Sequence, residues 1–243
     1  MITLAEIKNK LAGKCTAHVV GGGNSGRAVI KLLNSYGVPL VFHEQKEEKL
    51  LPEFKRFLQE QNIPCFFGEH KKENFSGCDI FIPSPGVAVA QFAGLLPETA
   101  LAVSETEIAY LFCDDTPILG ITGTSGKTTT TAVCSEMLKE QGLNIFTGGN
   151  IGTPLSEYAL KRLENPRSEK ADVLVLELSS FQLQTCNALP VHVGICLNIS
   201  ENHLDYHKNM QEYTDAKMNL FAHQTDTDFA VLGQDIAHLA NEY

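Results

Sequence analysis

No run of the 243-residue sequence approaches 18 consecutive apolar residues, so a membrane-spanning helix is not expected. The first residues, MITLAEIKNKLAGK, have neither a long apolar core nor a small-residue cleavage site, and they do not read as a secretory leader. Excess positive charge is also lacking. The net charge of −10 argues against general nucleic-acid or membrane-surface partners and leaves room only for local basic pockets. The seven cysteines are scattered and form no C-x-x-C pair, which speaks against zinc and disulfide frameworks and fits free thiols in a reducing cytoplasm. Internal repeats and low-complexity tracts are absent as well.

What is present is a soluble, globular composition, 43% hydrophobic and 20% charged, with a βα rhythm that occurs twice. The segments AHVVGGG, PLVFHE, PCFFGE and CDIFIPSPG read as strands. Between the first two, GRAVIKLLNSYG sets Val29, Ile30, Leu32 and Leu33 on one helical face and stops at Gly37. A helix is expected to start near Pro52. The acidic stretch LFCDDTP marks a domain boundary between about residue 105 and 116, giving expected domains 1–110 and 111–243. The rhythm then restarts with PILGIT, the loop GTSGKT, a helix from Lys127, and the apolar strands ADVLVLELSS and HVGICLNIS, which read as central and covered on both faces. DFAVLG reads as a further strand, and KRLENPRSEKAD as the most linker-like polar stretch. The expected fold class is α/β: a Rossmann-like parallel-sheet domain, then an incomplete P-loop-type α/β ATPase domain.

Two glycine turns carry the chemistry. In VVGGGNSG, Gly21, Gly23 and Gly26 fit the G-x-G-x-x-G spacing of a dinucleotide turn, and Glu44 lies where an acid would reach a ribose. On its own this turn suggests a nicotinamide enzyme. That reading leaves ILGITGTSGKTTTT unexplained. There Gly123, Thr124, Ser125, Gly126, Lys127, Thr128 and Thr129 form a loop and helix start whose N–H groups would face the phosphates of ATP. Lys127 would sit by the β- and γ-phosphates and the Thr128 hydroxyl by Mg²⁺. The strict G-x-x-x-x-G-K-[ST] pattern is not met, because Ile121 stands where its first glycine belongs. A metal-assisted site needs further oxygen ligands. Glu177 ends an apolar strand, and NISENHLDYH offers Glu201, His203, Asp205 and His207; each also reads as ordinary solvated surface.

Together GTSGKTTT, GGNIGTPL, LELSSFQL, LNISENHLDYH and YTDAKMNLF resemble, in order and spacing, the Mur ligases, the ATP-dependent amide ligases of peptidoglycan precursor synthesis. SPGV and SETEIAYLF are most similar to the D-glutamate-adding branch. The resemblance implies UDP-MurNAc-L-alanine and D-glutamate as substrates, ATP and Mg²⁺ as cofactors, an acyl-phosphate intermediate, and a cytoplasmic enzyme that is monomeric at full length. It implies Thr128 and Glu177 on a first Mg²⁺, His203 on a second, and a carbamylated Lys217 as a further ligand. Lys127, His203, Lys217 and Asn150 would be catalytic. Asn24, Ser25, Gly26, Gln45, Lys46, Gly86, Asn150 and Ser179 would hold the UDP-sugar. Asn202 and Tyr206 stand where the family has Asp and Arg, and Lys46 cannot give an arginine's bidentate phosphate grip. Family members exceed 400 residues in three domains, so the resemblance also implies a truncated chain that lacks the C-terminal domain and is inactive alone. Another Mur-type ligase, such as the L-alanine-adding enzyme, and a non-catalytic UDP-sugar-binding module are the competing readings. The Rossmann-like start argues against a folylpolyglutamate synthase.

Overall fold

The computed structural model describes residues 2–204 and 206–243. The first unit alternates α1 (Leu4–Ala12), β1 (Ala17–Val20), α2 (Asn24–Tyr36), β2 (Leu40–Glu44), α3 (Pro52–Glu60), β3 (Cys65–Phe67), β4 (Ile80–Pro83) and β5 (Leu101–Ala102). Its five strands pair in parallel in the order β3-β2-β1-β4-β5. The order reverses between β1 and β4, and ligand crevices open at such switch points, at the carboxyl ends of the strands. Local chemistry sets the ends of the elements. Thr3 and Glu6 close a capping box on α1, Pro52 occupies the first turn of α3, and Gly37 ends α2 with φ 88°.

The second unit follows α4 (Glu105–Tyr110). It comprises β6 (Ile118–Thr122), α5 (Lys127–Glu140), β7 (Ile145–Gly149), α6 (Leu155–Glu164), β8 (Val173–Glu177), α7 (Ser180–Leu183), β9 (Val193–Cys196), α8 (Met210–Met218) and β10 (Phe229–Leu232). These strands are also parallel, in the order β10-β9-β6-β8-β7. β8 and β9, the two apolar runs expected to be central, flank β6 inside the sheet. β10 lies at an edge with Phe229 and Val231 exposed. One point of the sequence reading is corrected: the stretch read as a linker begins inside α6, which runs to Glu164. Arg162 of that turn bonds back to Ser168 and to Asp114.

A continuous apolar core joins the units. Ile7, Val29 and Leu33 from the first unit share it with Ile108 of α4 and with Ile118, Leu155 and Leu174 of the second. Among the described residues all seven cysteines are free, and no helix is long and apolar enough to cross a membrane.

The first sheet also buries two imidazoles. His18 Nδ1 and His43 Nε2 lie 3.0 Å apart, and the His43 ring stacks on Phe75 at 4.3 Å. Burial pushes His18 down to about 4; burial, with His18 and His70 nearby, pushes His43 down to about 3. Both rings are therefore neutral when folded but take up protons when unfolded below about pH 6.5. The stability this pair contributes is present above that pH and is lost as pH falls toward the folded values. Urea unfolding at pH 7 and pH 5 is expected to differ by about 2 kcal/mol for each ring. A pH-independent midpoint over that range would contradict the assignment.

Candidate functional site

The first glycine turn joins β1 to α2. Gly26 is required by close approach, since a Cβ there would lie 2.0 Å from the Gly21 carbonyl oxygen. Glu44 borders the cleft beside this turn, and its carboxylate accepts from the N–H of Gly22 at 2.9 Å and of Lys46 at 3.1 Å, bracing the turn. Gly23, Asn24, Ser25, Ser84, Pro85 and Asn150 line one small cleft at the start of α2. Gln45 and Gly86 line an adjoining one of about 200 Å³ with Gly21, His70 and Val87. Lys46 lines neither cleft.

Two residues at this turn escaped sequence reasoning. Arg27 donates to the Gly22 carbonyl and to Asn24 Oδ1, both at 2.7 Å, placing a cation beside the diphosphate-type turn. The Ser84 hydroxyl donates to the Gly21 carbonyl at 2.8 Å. Arg27 directly follows the last glycine of the fingerprint, which was its available signal. Ser84 opens the SPGV segment, but its bond to Gly21 was not legible because that partner lies 63 residues away.

The second turn leaves β6 and enters α5 through Gly126, whose φ is 81°. The N–H of Thr124 donates to the Asn198 carbonyl at 2.9 Å and that of Ser125 to Asn198 Oδ1 at 3.0 Å. Lys127 Nζ bends back over the loop to the carbonyls of Gly123 (3.0 Å) and Thr124 (3.2 Å). Thr129 is exposed on the first turn of α5. Glu177, at the end of β8, is buried, and its two oxygens have different partners. One accepts from the Thr128 hydroxyl and the other from Asn150 Nδ2, both at 2.8 Å. Asn150 therefore bonds into the phosphate-loop site while lining the cleft at the first turn.

Gly149 makes this meeting possible. Its φ is 104°, and a Cβ would fall 2.4 Å from the Glu177 carbonyl oxygen. Gly149→Ala is expected to cost about 2 kcal/mol through backbone strain and to push Asn150 off Glu177. Urea denaturation checks the cost; an unchanged midpoint would contradict it.

Lys217, on α8, is 1% exposed and donates to the Gly123 carbonyl at 2.9 Å, the same oxygen that Lys127 approaches. Its ammonium lies 4.5 Å from the centroid of the Tyr213 ring. Burial, reinforced by the Lys127 charge, brings its pKa down to about 8. His203 has φ 54° and an exposed ring set against Phe181 at 4.9 Å and Tyr213 at 6.3 Å. The Ser179 hydroxyl donates to Gln182 Oε1 at 2.9 Å and caps α7. Asp205 lies outside the described residues.

The donor set around the second turn suits a hard cation only in part. Among the described residues no three His, Cys, Asp or Glu side chains group as metal ligands. Thr128 and Glu177 supply two adjacent oxygen donors beside a phosphate loop, which matches the habit of Mg²⁺ of keeping several waters and binding few protein oxygens.

Two parallel α/β units each carry a glycine turn at a helix start, and Asn150 lines the cleft at the first turn while bonding to Glu177 beside the second. Residues 121–242 match the Mur ligase middle domain, and the chain belongs to the Mur ligase family. It is 47% identical over 232 residues to the UDP-N-acetylmuramoylalanine–D-glutamate ligase of Oleidesulfovibrio alaskensis, covering 93% of this chain and 51% of that protein. The enzyme of the same name from Lawsonia intracellularis is 44% identical over 225 residues, covering 93% of this chain and 50% of its own length. The chain thus spans about half the length of these curated relatives. Among solved structures, the UDP-N-acetylmuramate:L-alanyl-γ-D-glutamyl-meso-diaminopimelate ligase of Neisseria meningitides superposes with a TM-score of 0.54 at 15% identity. That match covers 94% of this chain and 74% of the other and speaks to the fold alone.

Proposed function

We propose that this chain forms the sugar-nucleotide-binding domain and part of the ATP-binding domain of a cytoplasmic ligase that adds D-glutamate to UDP-MurNAc-L-alanine. The observation that carries the reading is Asn150, whose amide bonds to Glu177 beside the phosphate loop while it lines the cleft at the first glycine turn. A substrate held at the first turn by its diphosphate would thereby present its far end to the ATP phosphates. The high identity to enzymes of that name supports the same substrates.

In this reading Asn24, Ser25, Gly26 and Arg27 bind the UDP diphosphate at the α2 start, and Gln45 and Gly86 face the uridine. The N–H groups of the 123–126 loop and the Lys127 ammonium hold the ATP phosphates once Lys127 leaves the loop carbonyls and the Thr124 and Ser125 N–H groups leave Asn198. The carboxylate of UDP-MurNAc-L-alanine attacks the γ-phosphorus and ADP departs. The amine of D-glutamate then attacks the acyl carbon, forming the amide and releasing phosphate. Thr128 and Glu177 would hold Mg²⁺, which supplies charge neutralisation for the transferred phosphoryl group. His203 would serve a second ion. Lys217 would do so as its carbamate, formed when the neutral amine attacks CO₂ and releases a proton. An unmodified ammonium 2.9 Å from a loop carbonyl brings positive charge instead of a ligand.

The test is phosphate release by a polypeptide of the relatives' full length containing this chain, supplied with UDP-MurNAc-L-alanine, ATP and Mg²⁺. Release that depends on D-glutamate is expected. Release that depends on L-alanine with UDP-MurNAc, or none from folded protein, would overturn the assignment.

A further inference from the structure

The Asn198–His207 loop touches both candidate sites. At its start, Thr124 Oγ1 accepts from the Ser200 N–H at 3.0 Å, and Asn198 receives the Thr124 and Ser125 N–H groups. At its end, the Tyr206 hydroxyl crosses to the first unit and donates to the Val87 carbonyl at 2.8 Å. The Tyr206 ring is fixed edge-on against Phe181 at 4.4 Å, and its N–H donates to the His203 carbonyl at 3.0 Å. The hydroxyl therefore reaches the first unit from a braced position.

Its target is a turn that walls both clefts. Ser84 and Pro85 line the cleft at the α2 start, and Gly86, Val87 and Ala88 line the one shared with Gln45 and His70. The turn is anchored upstream by the Ser84 N–H on the Val20 carbonyl and downstream by buried Phe92. Between these anchors Gly86 stands at φ 89° in a turn closed by the Val87 N–H on the Ser84 carbonyl at 3.0 Å. The Tyr206 hydroxyl adds a hold on this turn from outside it.

We infer that Tyr206 is a positioning residue for the sugar nucleotide: its hydroxyl, supplied by the second unit, latches the Gly86–Val87 wall of the first unit's clefts. The inference rests on the proposed UDP-sugar reading for its ligand but not for its geometry. It also gives a role to a tyrosine where the resemblance led to an arginine.

Tyr206→Phe keeps the ring on Phe181 and deletes only the hydroxyl. In the ligand-free chain, amide hydrogen exchange of residues 86–92 is expected to rise about fivefold, the scale of one neutral hydrogen bond, with α2 and β6 unchanged. The dissociation constant for UDP-MurNAc-L-alanine is expected to rise by a similar factor. Unchanged exchange at residues 86–92 would overturn the latch, whatever the affinity does. Faster exchange with unaltered affinity would overturn the positioning role. If the unsubstituted chain binds no UDP-MurNAc-L-alanine while exchange still rises in Tyr206→Phe, the latch stands and the UDP-sugar reading falls.

Discussion

Lys127→Ala is expected to weaken binding of a Mg²⁺–ATP analogue about 100-fold while leaving the unfolding midpoint of the chain almost unchanged. The loss is the size expected when a charge-assisted contact to phosphate disappears, about 1.5–3 kcal/mol. The stability is spared because the ammonium is half-buried, Thr124 is part-exposed, and the buried Gly123 carbonyl keeps Lys217 as a donor. Removing Lys127 also relieves the repulsion that depresses Lys217, since both amines converge on the Gly123 carbonyl. The Lys217 pKa should therefore rise in the same variant, which amine titration by NMR can follow. An analogue affinity within threefold of the unsubstituted chain would remove the phosphate-binding assignment of the second turn.

A comparable loss, this time of stability, is expected for Glu107→Ala. Glu107 is fully buried in α4 between the two units. Its carboxylate accepts from the Ser104 N–H and hydroxyl at 2.8 Å each, from the Asn187 N–H at 2.6 Å and from the Ala188 N–H at 2.5 Å. Burial raises its pKa, and those donors oppose the rise. Alanine leaves two backbone N–H groups of the second unit, and the Ser104 cap, without an acceptor in a dry interface. The expected cost is about 3–5 kcal/mol. Glu107→Gln keeps one acceptor oxygen and should recover part of it. Nearby, Glu105 accepts from the Ser156 N–H at 2.7 Å and ties the same helix to the start of α6. Chemical denaturation of the two Glu107 variants measures the difference; equal stability of Glu107→Ala and the unsubstituted chain would show that the interface does not depend on this carboxylate.

The α/β architecture was legible because its signals are local. Apolar runs such as VLVLE and glycines at forced close approaches declare strands and turns without help from distant residues. The two glycine turns were legible for the same reason, and so was the pairing of Lys127 and Thr128 on one helix start. Elements whose meaning depends on a distant partner were not. SETEIAYLF carried a resemblance but no role for its acids, and the fold buries Glu105 and Glu107 against backbone N–H groups 51 and 80–81 residues away. Glu44 has the position of a ribose ligand in sequence, but it accepts from Gly22 across the turn. Arg162 looked like part of a polar linker because the turn that returns it to Ser168 and Asp114 is a tertiary event.

The two glycine turns are proposed to hold different nucleotides at one shared site. Calorimetric titration of the chain with UDP-MurNAc-L-alanine, and separately with NAD⁺, tests this most directly. Saturable binding of the UDP-sugar that is lost when Asn24 and Arg27 are replaced together by alanine, with no heat from NAD⁺, is the expected result. Tight NAD⁺ binding at the first turn, with none for the UDP-sugar, would contradict it.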